Sequence, residues 1–266
     1  TLTQSIGVIM GANIGTTVTA WLISALGFKV DIAAFALPLL AFGIPLLFSG
    51  KSSRKSVGEF IFGFSFLFMG LQALKANAPD LGANPEMLAF VQNYTDMGFL
   101  SIILFLFIGA ILTMIVQASA ATMAITLIMC ANGWIDYHLG VALVLGENIG
   151  TTITANLAAL TGNTQSRRAA LAHLVFNIFG VMWVLVLFYP FTAAVSWFVT
   201  DVMNISDPAV AVSFKLAAFH TAFNISNTFI MIWFVGLIEK TVCFLIKGKK
   251  DEDEEYRLRY ITGGML

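Results

Sequence analysis

A ten-residue phrase that occurs twice constrains this chain more than any other feature. Residues 11–20 read Gly-Ala-Asn-Ile-Gly-Thr-Thr-Val-Thr-Ala, and residues 146–155 read Gly-Glu-Asn-Ile-Gly-Thr-Thr-Ile-Thr-Ala. Eight of the ten positions are identical, and the second copy begins 135 residues after the first. We call them phrase 1 (residues 11–20) and phrase 2 (residues 146–155). An internal repeat fixes the architecture of a chain, and paired glycine-interrupted segments in an apolar sequence indicate the binding site of a secondary transporter.

Composition places the chain in a membrane. Hydrophobic residues make up 58% of the 266 residues and charged residues only 11%, whereas a soluble domain carries about 25% charged residues. The formal net charge of −1 gives no indication of a nucleic-acid partner. We therefore expect an all-α polytopic membrane protein whose surroundings are a lipid bilayer.

Apolar runs of roughly 17–25 residues predict the membrane spans. A longer apolar stretch, residues 98–133, is broken near its middle by the polar run 117–122, so it forms either two crossings or one re-entrant hairpin with the break at its tip. The predicted spans are residues 5–28, 32–48, 57–74, 139–160, 169–189 and 209–246.

Three basic clusters set the predicted topology, because short cytoplasmic loops are enriched in Lys and Arg. The clusters at 51–55, 167–168 and 247–250 share one side only if the helices of the two phrases run in opposite directions, which is an inverted-topology repeat. The predicted division is a first repeat (1–76), an external loop (77–97), a second repeat (98–246) and a cytoplasmic linker (247–266).

The first repeat lacks a counterpart of the polar break at Gln117. That counterpart would lie 135 residues earlier, which is before Thr1. We therefore expect the sequence to be truncated, with the N-terminal hairpin of the first repeat missing.

The residue types of the phrases suit ion and anion binding. Glycines let a membrane helix unwind, and unwound carbonyls, Asn oxygens and Thr hydroxyls are hard ligands for Na⁺, while half-helix N-termini favour an oxyanion. We therefore expect broken helices at both phrases. The alternative is that Gly and Thr only let helices pack closely; two copies in opposite orientation favour a site. The candidate site residues are Gly11, Asn13, Gly15, Thr16 and Thr17 of phrase 1, Gly146, Glu147, Asn148, Gly150, Thr151 and Thr152 of phrase 2, and Gln117, Ser119 and Thr122 of the hairpin.

Two further features concern polar residues inside predicted spans. Glu147 is the only carboxylate in either phrase; it is either functional or placed at the outer rim. A smaller repeat, Ala-His-Leu-Val-Phe-Asn-Ile at 172–178 and Phe-His-Thr-Ala-Phe-Asn-Ile at 219–225, places His and Asn on one helix face. We interpret the second feature as helix–helix hydrogen bonding.

Signatures of an enzyme are missing from the sequence, which has no zinc-binding HExxH, no Gly-x-Ser-x-Gly and no P-loop. We predict a protein that is not an enzyme and that uses no cofactor other than a coupling ion. The two cysteines, Cys130 and Cys243, are predicted to lie near opposite membrane faces and to remain unpaired.

The paired Gly-x-Asn-Ile-Gly-Thr-Thr phrases, the second of them after a Gln117-centred break, resemble the type II sodium–phosphate cotransporter family over about residues 3–246. The Ala-x-x-His-x-x-Phe-Asn pattern is similar to that of its bacterial members. The resemblance implies Na⁺-coupled transport of inorganic phosphate by alternating access, in the bacterial cytoplasmic membrane. It implies a Na⁺ half-site formed by Gln117, Ser119, Thr122, Asn148 and Thr151, with Thr152 beside them, and a second half-site at Asn13, Thr16 and Thr17.

The sequence also departs from the pattern of that family. Residues 117–123 read Gln-Ala-Ser-Ala-Ala-Thr-Met where the family has Gln-Ser-Ser-Ser-Ala-Thr-Thr, so three hydroxyls are lost. Phosphate export, another transported oxyanion, a channel and a non-transporting sensor therefore stay open, as does the oligomeric state, including a homodimer. The tail after residue 247 resembles a linker to a cytoplasmic PhoU-like domain.

Overall fold

The computed structural model describes residues 1–27, 32–77 and 94–248, which form helices and no strand. Every apolar run predicted to span the membrane coincides with a helix, so the prediction of an all-α polytopic protein is confirmed. Most of the predicted loop (78–93) and most of the predicted linker (249–266) lie outside the described residues. The helices are α1 (Leu2–Leu26), α2 (Ile32–Leu47), α3 (Ser52–Ala76), α4 (Phe99–Val116), α5 (Ser119–Ala131), α6 (Tyr137–Ala159), α7 (Thr164–Val186), α8 (Phe188–Trp197), α9 (Pro208–Met231) and α10 (Val235–Leu245).

Among the described residues, five stretches are long and apolar enough to cross a membrane: α1, α3, α4, α7 and the run Pro208–Leu245. That last run contains α9 and α10, joined by a 3-10 turn at Ile232–Phe234. Helix α6 has 23 residues, which is also enough to cross, but it carries polar phrase 2. Residues 139–148 of α6 are all buried, so this part of the helix is enclosed by protein, where polar residues are tolerated at membrane depth.

Acidic and amide side chains define where three helices begin. Asp136 Oδ1 accepts a hydrogen bond from the backbone N–H of Leu139 at the start of α6 (2.8 Å). Asn163 Oδ1 does the same for Ser166 in α7 (2.8 Å), and Asp207 caps α9 ahead of Pro208. Each cap satisfies a backbone donor that has no partner within its own helix.

The polar break in residues 98–133 forms a tight hairpin. Gln117 adopts a left-handed conformation (φ 56°, ψ 24°) and Ala118 is extended, so only two residues join α4 to α5. Helix α5 has 13 residues, or about 20 Å at ~1.5 Å per residue. It is therefore shorter than the roughly 30 Å hydrocarbon core that a complete crossing requires.

The main hydrophobic core lies among α1, α4, α5, α6, α7 and α9. A smaller cluster joins the first half of α1 to α7 and α10, through Ile6, Met10, Phe176 and Val242 among others. Helices α2 and α3 pack chiefly against each other. The part of the chain that carries both phrases is therefore the densely packed part.

The prediction that the helices unwind at the phrases is wrong. Phrase 1 lies within continuous α1, and phrase 2 lies within continuous α6. A backbone group released in an apolar environment must find a new partner, and the intact helix already supplies one for each interior residue. The glycines serve helix packing in α6 instead, as described below. The chain breaks where the hairpin was predicted, at Gln117.

Candidate functional site

The two phrases share one pattern of side-chain hydrogen bonds. Asn13 Nδ2 donates to the Ile9 carbonyl (3.0 Å), and Asn148 Nδ2 donates to the Val144 carbonyl (2.8 Å). Both bonds run from residue i to residue i−4. They occupy the amide nitrogen and direct it along its own helix.

The threonine hydroxyls also donate to carbonyls of their own helices, three or four residues earlier. Thr16 and Thr17 donate to the carbonyls of Asn13 and Ile14 (2.9 and 2.7 Å). Thr151 and Thr152 donate to the carbonyls of Glu147 and Ile149 (2.9 and 2.6 Å). Because each hydroxyl proton is engaged, what remains is oxygen lone pairs. Both phrases therefore present acceptors, the chemistry that suits a hard cation such as Na⁺.

Phrase 2 packs directly against the backbone of α4. A Cβ atom added at Gly146 would collide with the carbonyl oxygen of Leu106 and would lie 2.7 Å from the Ala110 nitrogen. One added at Gly150 would lie 2.5 Å from the Ala110 carbonyl oxygen and 2.8 Å from Thr113 Cβ. Glycine is thus required at both positions, and it brings α6 against the hairpin as a Gly-x-x-x-Gly motif does.

Thr113 connects phrase 2 to the second arm of the hairpin. Its Oγ1 lies 2.8 Å from the Gly109 carbonyl oxygen and 3.2 Å from Thr122 Oγ1, and both threonines are buried. Thr122, predicted as a site residue, is therefore joined through Thr113 to the surroundings of Gly150. The sequence analysis missed Thr113; the signal for it was a hydroxyl in an apolar run, four residues before the break.

The tip of the hairpin carries the remaining predicted residues. Gln117 is exposed and Ser119 is half-buried. Neither side chain forms a hydrogen bond with any residue in the described ranges, so their oxygens are available to a ligand. The structure thus brings α5 and phrase 2 together around Thr113, and it places two unoccupied oxygen-bearing side chains at the adjacent turn.

Glu147 lies inside the protein and not at its rim. Its side chain is 3% exposed, and within the described ranges Oε2 has no hydrogen-bond partner. A carboxylate in such a place is costly unless something compensates it. This burial favours the functional interpretation of Glu147 over a position at the outer rim.

Phrase 1 has a different neighbour. Asn13 Nδ2 lies 3.0 Å from His173 Nε2 on α7, and its Oδ1 lies 3.4 Å from the same ring nitrogen. The amide is 7% exposed. No hydrogen bond joins phrase 1 to phrase 2 or to residues 117–122 within the described part of the chain. The two predicted half-sites are therefore not joined by a hydrogen bond in that part of the chain, although α1 packs against α5.

The His-and-Asn repeat is only partly explained by bonds between helices. His173 contacts α1 as expected, but Asn177 and Asn224 donate to carbonyls of their own helices, those of His173 and His220. The α7–α9 contact uses Asn227, which donates to the Phe176 carbonyl (3.0 Å) and lies 3.3 Å from Trp183 Nε1. Asn227 was not predicted, since it falls just outside the repeated phrase.

Comparison with known proteins gives one family. The family model described as Na⁺/Pi-cotransporter matches residues 1–76 and 83–256. The uncharacterized protein YqeW of Bacillus subtilis is 29% identical over 92% of this chain and 74% of its own length. The putative inorganic phosphate export protein YjbB of Escherichia coli is 24% identical over the whole chain, which spans 46% of that relative.

A shorter match reaches mammalian proteins. Sodium-dependent phosphate transport protein 2B of Rattus norvegicus is 41% identical over 97 residues, which are 35% of this chain and 13% of that protein. The chain therefore spans less than half the length of YjbB and of the mammalian relative. No solved structure matches it.

Proposed function

We infer that this protein, which belongs to the Na⁺/Pi-cotransporter family, is a Na⁺-coupled secondary transporter of inorganic phosphate that works by alternating access. It is a multi-pass membrane protein, and we place it in the bacterial cytoplasmic membrane. The observation that carries the proposal is the chemistry of the phrases and the hairpin. Their Asn and Thr donors are engaged by backbone carbonyls, and their oxygens remain as acceptors.

Phrase 2 and the hairpin supply the proposed Na⁺ site. Gln117 and Ser119 present unengaged oxygens at the turn, and Thr122 lies behind them against Thr113. Asn148 and Thr151 present oxygens from α6, whose Gly150 meets α4 in the same region. Oxygen ligands in a dry environment suit Na⁺, and the short length of α5 supports a re-entrant hairpin whose tip lies within the membrane.

The phosphate itself would need hydrogen-bond donors or positive dipole ends. The first turn of α5 provides backbone N–H groups that begin at Ser119, and such termini favour oxyanions. A bound Na⁺ next to that turn would add positive charge. This arrangement couples the two solutes because each stabilises the other in one site.

Substitution of single oxygens tests the proposal. We expect Ser119→Ala and Thr151→Val to raise the half-saturating Na⁺ concentration about five- to hundredfold, which corresponds to the ~1–3 kcal/mol lost with one ligating group. The measurement is uptake of radiolabelled phosphate into proteoliposomes that contain the full-length protein, titrated with Na⁺ at matched protein amounts.

Thr126→Val serves as the matched control. The Thr126 hydroxyl is fully buried on α5 and has no hydrogen-bond partner within the described ranges, so its removal leaves no polar group newly unpaired. If both test variants titrate like the parent, the hydroxyls only pack helices. If uptake is independent of Na⁺ or does not saturate, the protein is not a Na⁺-coupled carrier.

Export of phosphate is the second candidate, because the YjbB relatives are named as putative inorganic phosphate export proteins. The same vesicles distinguish the directions. Efflux of preloaded phosphate that outpaces uptake under every Na⁺ gradient would favour export.

A further inference from the structure

A cleft of about 250 Å³ lies where α6, α7 and the end of α10 meet. Its walls are apolar and come from all three elements. The side chains that matter here are Ile153 and Leu157 of α6, Leu171 and Leu174 of α7, Ile246 after α10, and one cation, Arg167.

Arg167 gives the cleft its charge. It is exposed and forms no salt bridge with any residue in the described ranges. The amide nitrogen of Asn156, the other polar residue in the lining, is already satisfied, because it donates to the carbonyls of Thr152 and Ala170 (both 2.8 Å). No acidic side chain is among the described residues that line the cleft. Among the described residues, the cleft therefore offers a ligand one charged group, the guanidinium of Arg167, which has no acidic partner there.

A second cation, Lys247, comes directly after the lining residue Ile246 in the sequence. The Nε of buried Arg168 donates to the Ile246 carbonyl (3.0 Å), which holds the end of α10 against the start of α7. Lys247 comes next and is exposed. An exposed lysine therefore directly follows Ile246, which lines the cleft together with Arg167.

The surroundings of the cleft face lipid. Leu157 and Leu160, which both line the cleft, are 59% and 64% exposed. Leucines this exposed belong in the hydrocarbon of a bilayer, whereas Arg and Lys at the ends of spanning helices lie at the headgroup level. The cleft therefore extends from the headgroup level into the apolar layer.

We propose that this cleft binds an anionic phospholipid, with an acyl chain against the leucines and its phosphate against Arg167. The volume is below the roughly 300–1,000 Å³ of sites that enclose a whole small molecule, so it suits a slender chain. The bound lipid holds α6 against α7 and α10. This site is independent of the transport proposed above.

Native mass spectrometry of the full-length protein, released from nanodiscs of equimolar phosphatidylglycerol and phosphatidylcholine, tests the proposal. We expect the parent to retain phosphatidylglycerol preferentially. Arg167→Gln should weaken that retention about fivefold, the effect of one basic residue near an anionic lipid surface. Arg167→Lys should keep most of the preference because it keeps the charge.

Two further variants separate the cleft from general surface charge. Arg54→Gln removes an exposed cation at the start of α3, away from the cleft, and should leave retention unchanged. Leu171→Trp fills the cleft and should reduce retention of either lipid, with thermal unfolding used to confirm that the variant is folded. Equal retention in parent and Arg167→Gln would overturn the proposal. So would stabilisation of the parent by millimolar inorganic phosphate that Arg167→Gln abolishes, because phosphate bound at the transport site would stabilise both proteins alike.

Discussion

Phrase 1 and phrase 2 share eight of ten residues and the same back-bonds to their own helices, but their surroundings differ. Gly146 and Gly150 touch the backbone of α4, whereas a Cβ at Gly11 or Gly15 would meet nothing within 4 Å. Glu147 is buried, and its counterpart Ala12 is exposed. Phrase 1 has a different neighbour, since its Asn13 contacts His173 on α7. Local sequence thus determines the helix and its internal hydrogen bonds, and the neighbouring helix determines whether a glycine pair becomes an interface.

The orientation of the two phrases in the membrane gives the largest expected difference. An introduced cysteine is labelled either in intact cells or only after the membrane is opened. If the repeat is inverted, an impermeant thiol reagent should label Asp96→Cys in intact cells and should not label Ser53→Cys or Ser166→Cys until the membrane is opened. All three positions are exposed. Labelling of Ser166→Cys, but not of Ser53→Cys, in intact cells would mean that the two phrases run in the same direction. The background carries Cys243→Ser, while buried Cys130 is retained. Labelling of Ser53→Cys but not of Asp96→Cys in intact cells would mean that the whole protein has the opposite orientation. Equal labelling of these two positions would contradict the predicted topology, which places them on opposite sides of the membrane.

Adding one methyl group to each phrase should change stability in opposite directions. Gly146→Ala forces a Cβ into the backbone of α4, so we expect a loss of about 3 kcal/mol, the upper end of the usual cost of overpacking. Gly11→Ala enters open space and should stabilise α1 by up to about 1 kcal/mol, because alanine favours a helix over glycine. Unfolding in detergent micelles measures both. Destabilisation by Gly11→Ala would mean that a helix covers phrase 1 in the folded protein.

The carboxylate that only phrase 2 carries should produce the smallest of the three effects. Glu147→Gln should shift the half-saturating Na⁺ concentration or the pH profile of phosphate transport about tenfold, since interactions with a charged group contribute about 1.5–3 kcal/mol. Glu239→Gln is the control; Glu239 is only half-buried, and its carboxylate accepts a hydrogen bond from Thr3 (2.8 Å). Unchanged Na⁺ and pH profiles in Glu147→Gln would make Glu147 a structural residue.

The helices could be predicted because each needs only a long apolar run, and the break at Gln117 could be predicted because it opens a polar run inside one. The unwinding of the phrases was predicted wrongly, since Gly-x-x-x-Gly serves an unwound segment and a close helix contact equally well. The close helix contact occurs here because the backbone of Leu106 and Ala110 lies against the two glycines of phrase 2. Those two residues come about 40 residues earlier in the chain. Contacts of that range, like those of Thr113 and Asn227, leave no periodic signal in the sequence.

Gln117 places a side-chain amide at a position where glycine would be favoured on conformational grounds alone. Its φ of 56° lies in the left-handed region, which costs a residue with a side chain about 1–2 kcal/mol. A glycine at this position would avoid that cost, and substitutions that relieve such positions commonly stabilise proteins. The turn therefore carries a side-chain amide at a cost in folding stability that a glycine would avoid.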